Sequence, residues 1–135
     1  MIISGDRQIS YPEIYARAAR AASGLKELGL AGGTPVALML RNDFALFEAS
    51  VAAATLGSPE VPINWHLKAD EVNYIIGDCG AGILLCHADL WPQIREGIPG
   101  NVRVLIVPTP PEIATAFHIP NDQTRVPSGM TDWDA

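Results

Sequence analysis

The side chains best suited to chemistry follow four apolar runs of the chain, at the points where the runs end. Arg41 and Asn42 follow the first run, Asn64, Trp65 and His66 the second, His87 the third and Pro108 the fourth. An imidazole changes its charge near neutral pH and can partner a phosphate group. If the runs are parallel strands, these residues lie beyond the carboxyl ends of one sheet, where open α/β sheets bind ligands.

Each of these residues also has a purely structural interpretation. Asn42 or Asp43 is placed to cap the next helix, and Asn64 to bond its own loop backbone. Trp65 can pack against the sheet end or a neighbouring domain, and His87 can simply lead into the last helix. The third histidine, His118, lies in a proline-rich tail and has no partner that the sequence identifies.

Several kinds of site are absent from the sequence. No serine stands in a G-x-S-x-G context, and no G-x-x-x-x-G-K-[ST] phosphate loop is present. Cys79 and Cys86 have no metal-ligand spacing with the histidines, so we expect two reduced, buried thiols. The carboxylates are scattered as on solvated helix faces. The residues alone therefore predict a polar loop edge on a parallel α/β domain, without naming a reaction.

The composition is that of one globular domain. The chain has 135 residues, of which 48% are hydrophobic and 18% charged, and its formal net charge is −6. No basic stripe is present, which argues against a nucleic-acid partner. The sequence shows neither a signal peptide nor the roughly 20 consecutive apolar residues of a transmembrane helix. We therefore expect a cytoplasmic protein.

The elements that must position these side chains alternate between strands and helices. Residues 1–10 predict a hairpin, and Ser10 with Glu13 forms the S-x-x-E capping box of a helix ending near Gly29. The predicted buried strands are 36–40, 60–63, 82–86 and 102–107. Three predicted helices lie between these strands. The first carries an apolar stripe of Phe44, Phe47, Val51 and Ala54, and the other two span 69–78 and 89–96. This order predicts an α/β fold with three layers, α/β/α, around a mostly parallel sheet.

The last part of the chain differs in character. Five prolines interrupt any periodicity after residue 107. We therefore divide the chain into an α/β subdomain, 1–107, and a Pro-rich linker, 108–135, that leads toward regions not included in this sequence.

The order of motifs resembles the AMP-forming adenylating enzymes, which include the acyl-CoA synthetases and long-chain fatty acid–CoA ligases. The resemblance covers residues 10 to about 107 and rests on order and spacing. The matching segments are Ser10-Tyr11-Pro12-Glu13-Ile14, Leu28-Gly29-Leu30, Gly33-Thr34-Pro35-Val36-Ala37-Leu38, Asn42-Asp43-Phe44, Leu56-Gly57, Val61-Pro62-Ile63-Asn64, Asp70-Glu71-Val72-Asn73-Tyr74-Ile75 and Asp78-Cys79-Gly80-Ala81. The variant Asn64-Trp65-His66-Leu67 is similar to the fatty acyl-CoA ligase branch. The resemblance implies the N-terminal subdomain of the acyl-CoA synthetase fold.

The resemblance also implies a reaction. Such enzymes join a carboxylic acid, here a fatty acid, to the α-phosphate of ATP with Mg²⁺, and the acyl-adenylate then passes to coenzyme A. In family order the phosphate loop, the Mg²⁺ motif and the catalytic lysine follow the last residue of this chain. We therefore expect the isolated chain to be inactive and to bind none of these cofactors. The sequence departs from the family pattern in two places. The helical segment that usually precedes the hairpin is missing, and Lys68 stands in place of a Thr/Ser cap.

One site residue follows from the resemblance. In the coenzyme A ligases the loop after Pro-x-Asn lies near the CoA entry, and its third residue is often arginine. His66 occupies that place here, which makes it a candidate contact for the nucleotide end of CoA. The alternative is a loop histidine without a ligand.

A second interpretation of the whole chain is a stand-alone, flavodoxin-like module that binds a small molecule or a partner and catalyses nothing. In either case, a subdomain separated from its neighbours exposes apolar surface, so we expect self-association through a sheet edge or a helix face. The sequence specifies neither the acyl chain length nor whether the acceptor is CoA or another thiol.

Overall fold

A computed structural model describes all 135 residues of the chain. The strands are β1 (Ile2–Ser4), β2 (Arg7–Ile9), β3 (Val36–Met39), β4 (Glu60–Pro62), β5 (Ile83–His87), β6 (Arg103–Val107) and β7 (Thr131–Asp132). The α-helices are α1 (Tyr11–Glu27), α2 (Phe44–Thr55), α3 (Ala69–Cys79), α4 (Trp91–Ile94) and α5 (Pro111–Ala116). No helix is both long enough and apolar enough to cross a bilayer.

The strands form two sheets. β1 and β2 pair antiparallel in the predicted hairpin, whose turn contains Gly5 at φ +57°. The other five strands form one wholly parallel sheet in the order β4-β3-β5-β6-β7. β3 is the first of these strands in the chain, and it lies between β4 and β5. The strand order therefore reverses at β3 and β5, and such a reversal opens a crevice at the carboxyl ends of the strands.

Two hydrophobic cores lie on opposite faces of this sheet. On one face Val36, Leu38 and Leu85 pack against the alanines of α1 and α2. On the other face Ala37, Met39 and Leu84 pack against α3 and α4. Because alternate residues of the central strands enter different cores, every position of β3 and β5 is buried. The predicted three-layer α/β/α architecture is confirmed.

Helix α1 begins as its sequence predicts. The Ser10 hydroxyl accepts a hydrogen bond from the Glu13 N–H at 3.3 Å, and the Glu13 carboxylate accepts one from the Ser10 N–H at 3.0 Å. The chain leaves the helix through Gly29, at φ +91°. The buried residues of this helix are Ile14, Ala18, Ala22 and Leu25.

The stripe predicted for α2 is wrong in part. Phe44 is buried, but Phe47 is 46% exposed and Ala54 is also exposed. The buried face consists of Phe44, Ala45, Glu48, Ala49, Ala52 and Ala53. Helix α2 packs against α1 and shares its hydrophobic core on one face of the sheet, and the alanines of α2 permit this close approach.

Strand β4 is an edge strand, so the prediction of a strand buried on both faces is wrong there. Its residues are exposed, half-buried and exposed in turn, and only β3 pairs with it. Helix α3 starts at the predicted place without a side-chain N-cap, although the Lys68 N–H donates to Glu71 Oε2 at 2.9 Å. Gly80, at φ +69°, ends this helix.

Residues 108–135 contain regular structure. They include α5, a 3₁₀ turn at Asn121–Gln123 and β7, which pairs with β6 at Leu105 and Ile106. Trp133 packs against the first hydrophobic core. The segment expected to be a linker therefore packs on the same sheet as residues 1–107. Its role as a connection to further domains stays a prediction.

Candidate functional site

The centre of the carboxyl edge is a buried histidine. His87 ends β5, and its side chain is fully buried. Its Nδ1 accepts the N–H of Arg41 at 3.0 Å, and its Nε2 lies 3.4 Å from Asp43 Oδ2. Because Nδ1 is an acceptor, the hydrogen of the neutral ring is on Nε2 and points to Asp43. His87 thus joins the ends of β3 and β5 at the strand-order reversal.

Asp43 joins this histidine to the hairpin. One carboxylate oxygen faces His87, and the other accepts from Arg7 Nη2 at 2.5 Å. Burial opposes ionisation of Asp43, but hydrogen bonds with His87, the Phe44 N–H and Arg7 outweigh it and lower the pKa of Asp43. Arg7 also pairs with Glu112 of α5. The hairpin, α2 and α5 are therefore held together by charge.

Arg41 and Asp89 form a second buried pair beside the histidine. Nε and Nη2 of Arg41 both donate to Asp89 Oδ2, at 2.9 and 2.8 Å. The Thr109 hydroxyl donates to the other oxygen of Asp89 at 2.6 Å. The Arg41 side chain is 9% exposed and that of Asp89 is 3% exposed. The guanidinium charge is consequently neutralised inside the protein.

Three aromatic rings surround the same guanidinium or stack beside it. The Arg41 Cζ atom lies 4.4 Å from the Trp65 ring centroid and 4.2 Å from the Phe117 ring centroid. Trp65 in turn stacks on His66, with 3.7 Å between the ring centroids. We call Trp65, His66 and Phe117 the aromatic shelf. His66 and Phe117 are exposed on it.

The residues predicted at this edge therefore divide into two groups. Arg41, Trp65, His66 and His87 come together. Asn42 is exposed and not part of the network. Asn64 forms the predicted turn, since its Oδ1 accepts the His66 N–H at 3.0 Å. Pro108 lines a cavity of about 230 Å³ next to the network, together with Arg7, Arg17 and the start of α2.

Several members of the network are not predictable from the local sequence pattern. Asp89, Thr109 and Glu112 are charged or polar residues in loops or at a helix start, and no local pattern sets them apart. Phe117 lies in the segment expected to be a linker. Asp89 could have been found, because it follows the end of β5 by two residues and so falls on the edge that the ligand rule selects.

The composition of this network indicates a structural role. Two cations, Arg7 and Arg41, face three carboxylates, Asp43, Asp89 and Glu112, so no free positive charge is left for a phosphate. His87 and Asp43 form a dyad but are buried and have no nucleophile beside them. No cluster of metal ligands is present. The network therefore fixes loops in place, and the exposed shelf is the part that a ligand can reach.

A second polar group lies away from the carboxyl edge. Glu48 of α2 is 2% exposed, pairs with Arg17 and accepts from the Trp133 indole N–H at 3.1 Å. A cleft of about 860 Å³ runs beside it along α1 and residues 131–135. Burial raises the pKa of Asp134 in this cleft against the opposing effect of Arg17, and neighbouring carboxylates raise it further. This group ties the end of the chain to the helices.

Comparison with known proteins gives a family match over most of the chain. The family model described as "AMP-binding enzyme" matches residues 1–128. The long-chain-fatty-acid–CoA ligase FadD13 of Mycobacterium tuberculosis is 37% identical over 91 residues, which are 67% of this chain and 18% of that ligase. Feruloyl-CoA synthase of an Amycolatopsis species is 31% identical over 131 residues, which are 95% of this chain and 25% of that enzyme.

Solved structures agree with the family match. The anthranilate CoA ligase AuaEII in complex with anthranoyl-AMP matches with a TM-score of 0.72 and 27% identity, covering 76% of this chain and 20% of that one. A Mycobacterium tuberculosis fatty acyl CoA synthetase matches with a TM-score of 0.66 and 35% identity, covering 75% and 21%. The chain thus spans about a fifth to a quarter of the length of these four relatives.

Proposed function

The chain belongs to the AMP-binding enzyme family, and on that premise we propose that it is part of the N-terminal region of an ATP-dependent acid–CoA ligase. The proposal rests on the family match over residues 1–128. In the proposed reaction a carboxylic acid is activated by transfer to the AMP portion of ATP, which releases pyrophosphate. The acyl group is then transferred to the thiol of coenzyme A, which releases AMP. We propose a cytoplasmic location for this reaction.

The acid is proposed to be a fatty acid. The proposal is supported by the loop Asn64-Trp65-His66-Leu67 and by the similarity to a long-chain-fatty-acid–CoA ligase. Feruloyl-CoA synthase and the anthranilate ligase act on aromatic acids according to their names. Thioester formation by the longer enzyme, assayed with matched fatty and aromatic acids, tests the choice. Faster turnover of the aromatic acids would contradict it.

We propose that this part of the chain binds neither ATP nor Mg²⁺. No group of carboxylates or histidines is arranged for a metal ion. The two arginines of the buried network, Arg7 and Arg41, are both paired with carboxylates. We therefore assign no catalytic step to these residues. Their contribution is to hold the sheet edge and the aromatic shelf in place.

We propose on this basis that the isolated chain is inactive. We expect no exchange of radiolabelled pyrophosphate into ATP when the 135-residue chain is incubated with Mg²⁺ and a panel of fatty acids. Measurable exchange would contradict the proposal. The coding sequence after Ala135 gives an independent test, because a reading frame that continues into a Gly/Thr-rich loop is expected, whereas a stop codon would favour the stand-alone module.

His66 is our proposed contact for the nucleotide end of CoA. Its imidazole is exposed, stacks on Trp65 and lies at the carboxyl edge of the sheet. In the longer enzyme, His66→Ala should raise KM for CoA and leave KM for ATP unchanged. His118→Ala is the matched control, because His118 is also exposed but not part of the stack. An unchanged KM for CoA in His66→Ala removes the assignment.

A further inference from the structure

Arg41 is the residue on which both the buried network and the aromatic shelf converge. Its backbone N–H is held by His87, and two of its side-chain nitrogens are held by Asp89. Two rings lie within 4.4 Å of its guanidinium carbon. The third nitrogen, Nη1, is buried and has no hydrogen-bond acceptor. The side chain is therefore held by Asp89 and the two rings.

The two rings come from distant parts of the chain. Trp65 belongs to the loop after β4, and Phe117 follows α5 in the Pro-rich segment. Trp65 and Phe117 also contact each other edge to face, with 5.3 Å between centroids. A planar guanidinium can stack on an aromatic face and fork onto a carboxylate at the same time, which a lysine ammonium cannot do.

We propose that Arg41 is a positioning residue that sets the orientation of the Trp65–His66 loop at the carboxyl edge. Asp89 fixes the guanidinium, the guanidinium fixes the Trp65 ring, and the Trp65 ring fixes His66. The loop backbone has further ties, since Gln93 Nε2 donates to the Trp65 carbonyl at 3.2 Å and to the Leu67 carbonyl at 3.5 Å. These bonds hold the loop backbone. The indole ring itself contacts the core on the α3 face, Phe117 and Arg41, and Arg41 is the one of these contacts that is anchored by Asp89.

The isolated chain provides the first test. The stacked Trp65 ring should shift the His66 imidazole resonances in the NMR spectrum upfield, and His66→Gln assigns them. We expect Arg41→Lys and Arg41→Met to move these resonances toward those of an unstructured histidine. Arg103→Lys is the matched control, because Arg103 is exposed and unpaired at the start of β6.

Phe117→Leu covers the case in which the Arg41 variants do not fold. Phe117 is 49% exposed, so its replacement should leave the fold intact and loosen one side of the guanidinium. A smaller movement of the His66 resonances in the same direction is expected. Unchanged resonances in a folded Arg41→Met chain, or in Phe117→Leu if the Arg41 variants do not fold, overturn the proposal.

The second test uses the longer enzyme and rests on the proposed function. Arg41→Lys should raise KM for CoA by about fivefold or more and change kcat by less than about twofold, because it misplaces a binding contact only. If the His66 resonances move while KM stays constant, Arg41 positions the loop and the CoA contact is wrong. If neither changes, the positioning role itself is wrong.

Discussion

Asp43 stands at a helix N-cap position, but its side chain forms ion pairs and does not cap the helix. The helix is α2, and the Asp43 side chain makes no capping hydrogen bond to the backbone of the first helical turn beyond Phe44. The carboxylate pairs with Arg7 and His87 instead. A buried carboxylate with these partners is charged in the folded state, so its ionisation and the stability of the fold are linked.

The pKa of Asp43 is lower in the folded chain than in the unfolded chain, where it is near 3.9. The carboxylate therefore stabilises the fold above about pH 4, and this stability is lost as the pH falls through the lower, folded-state pKa. We expect Asp43→Asn to cost about 1–3 kcal/mol at pH 7, because it leaves Arg7 less well paired. The cost should shrink below pH 4, as measured by urea unfolding over a pH series.

Asp122→Asn is the control for this series. Asp122 is exposed in the 3₁₀ turn and forms no ion pair, so its replacement should change the unfolding free energy by less than about 0.5 kcal/mol at any pH. A cost for Asp43→Asn that is constant from pH 7 to pH 3 would contradict the ion-pair interpretation.

Which individual residues could be predicted depends on whether their partners are local. Asn64 was predicted as a turn-former because its partner, the His66 N–H, is two residues away. Arg41, His66 and His87 were selected because strand ends are visible in the sequence. The pairing of Arg41 with Asp89, 48 residues later, could not be predicted, because it depends on the order of strands in the sheet.

At the scale of elements, the start of α1 gives a prediction with a built-in comparison. Ser10→Ala should lower the unfolding free energy by about 1 kcal/mol, since it removes the hydroxyl that accepts the Glu13 N–H. Ser23→Ala in the same helix is the matched control. The Ser23 hydroxyl donates to the Ala19 carbonyl at an exposed position, so little change is expected. Equal costs for the two variants in urea unfolding would show that the cap is unimportant.

Helix α2 gives a second prediction, because Phe47 is exposed while Ala49 and three other alanines of the helix are buried. Ala49 is 1% exposed, and Ala49→Leu should destabilise the fold by about 1–3 kcal/mol through overpacking. Phe47→Ala should change stability by less than about 0.5 kcal/mol. Thermal or urea unfolding of both variants measures the contrast. A larger loss of unfolding free energy for Phe47→Ala than for Ala49→Leu would instead support the apolar stripe predicted from the sequence.

The elements themselves were largely predictable, and the exceptions have a common cause. Capping residues, turn glycines and unbroken apolar runs are local signals, and they placed α1, β3, β5 and β6 to within one or two residues. The buried face of α2 and the edge position of β4 depend on what packs against them. Alanine carries little hydrophobic signal, so a face built from alanine is obscured by a phenylalanine on the other side.

At the scale of the whole molecule, we expect the isolated chain to self-associate. Tyr11, Tyr15, Phe47 and Tyr74 are exposed on its helices, and β4 and β7 are free sheet edges. Multi-angle light scattering should give a weight-average mass that rises above 14.4 kDa with protein concentration. Arg20→Lys, at an exposed position of α1, should leave this rise unchanged. A constant mass of one chain up to high concentration would contradict the expectation.

The position of β3 between β4 and β5 has a consequence for synthesis on the ribosome. β3 leaves the exit tunnel before either neighbouring strand has left it, and all four of its side chains are apolar. Until β5 has also emerged, the nascent chain carries an unpaired apolar segment that hydrophobic surfaces can capture. Holdase chaperones should therefore bind arrested nascent chains that expose β3 alone, and should release them once residues through β5 are outside the tunnel.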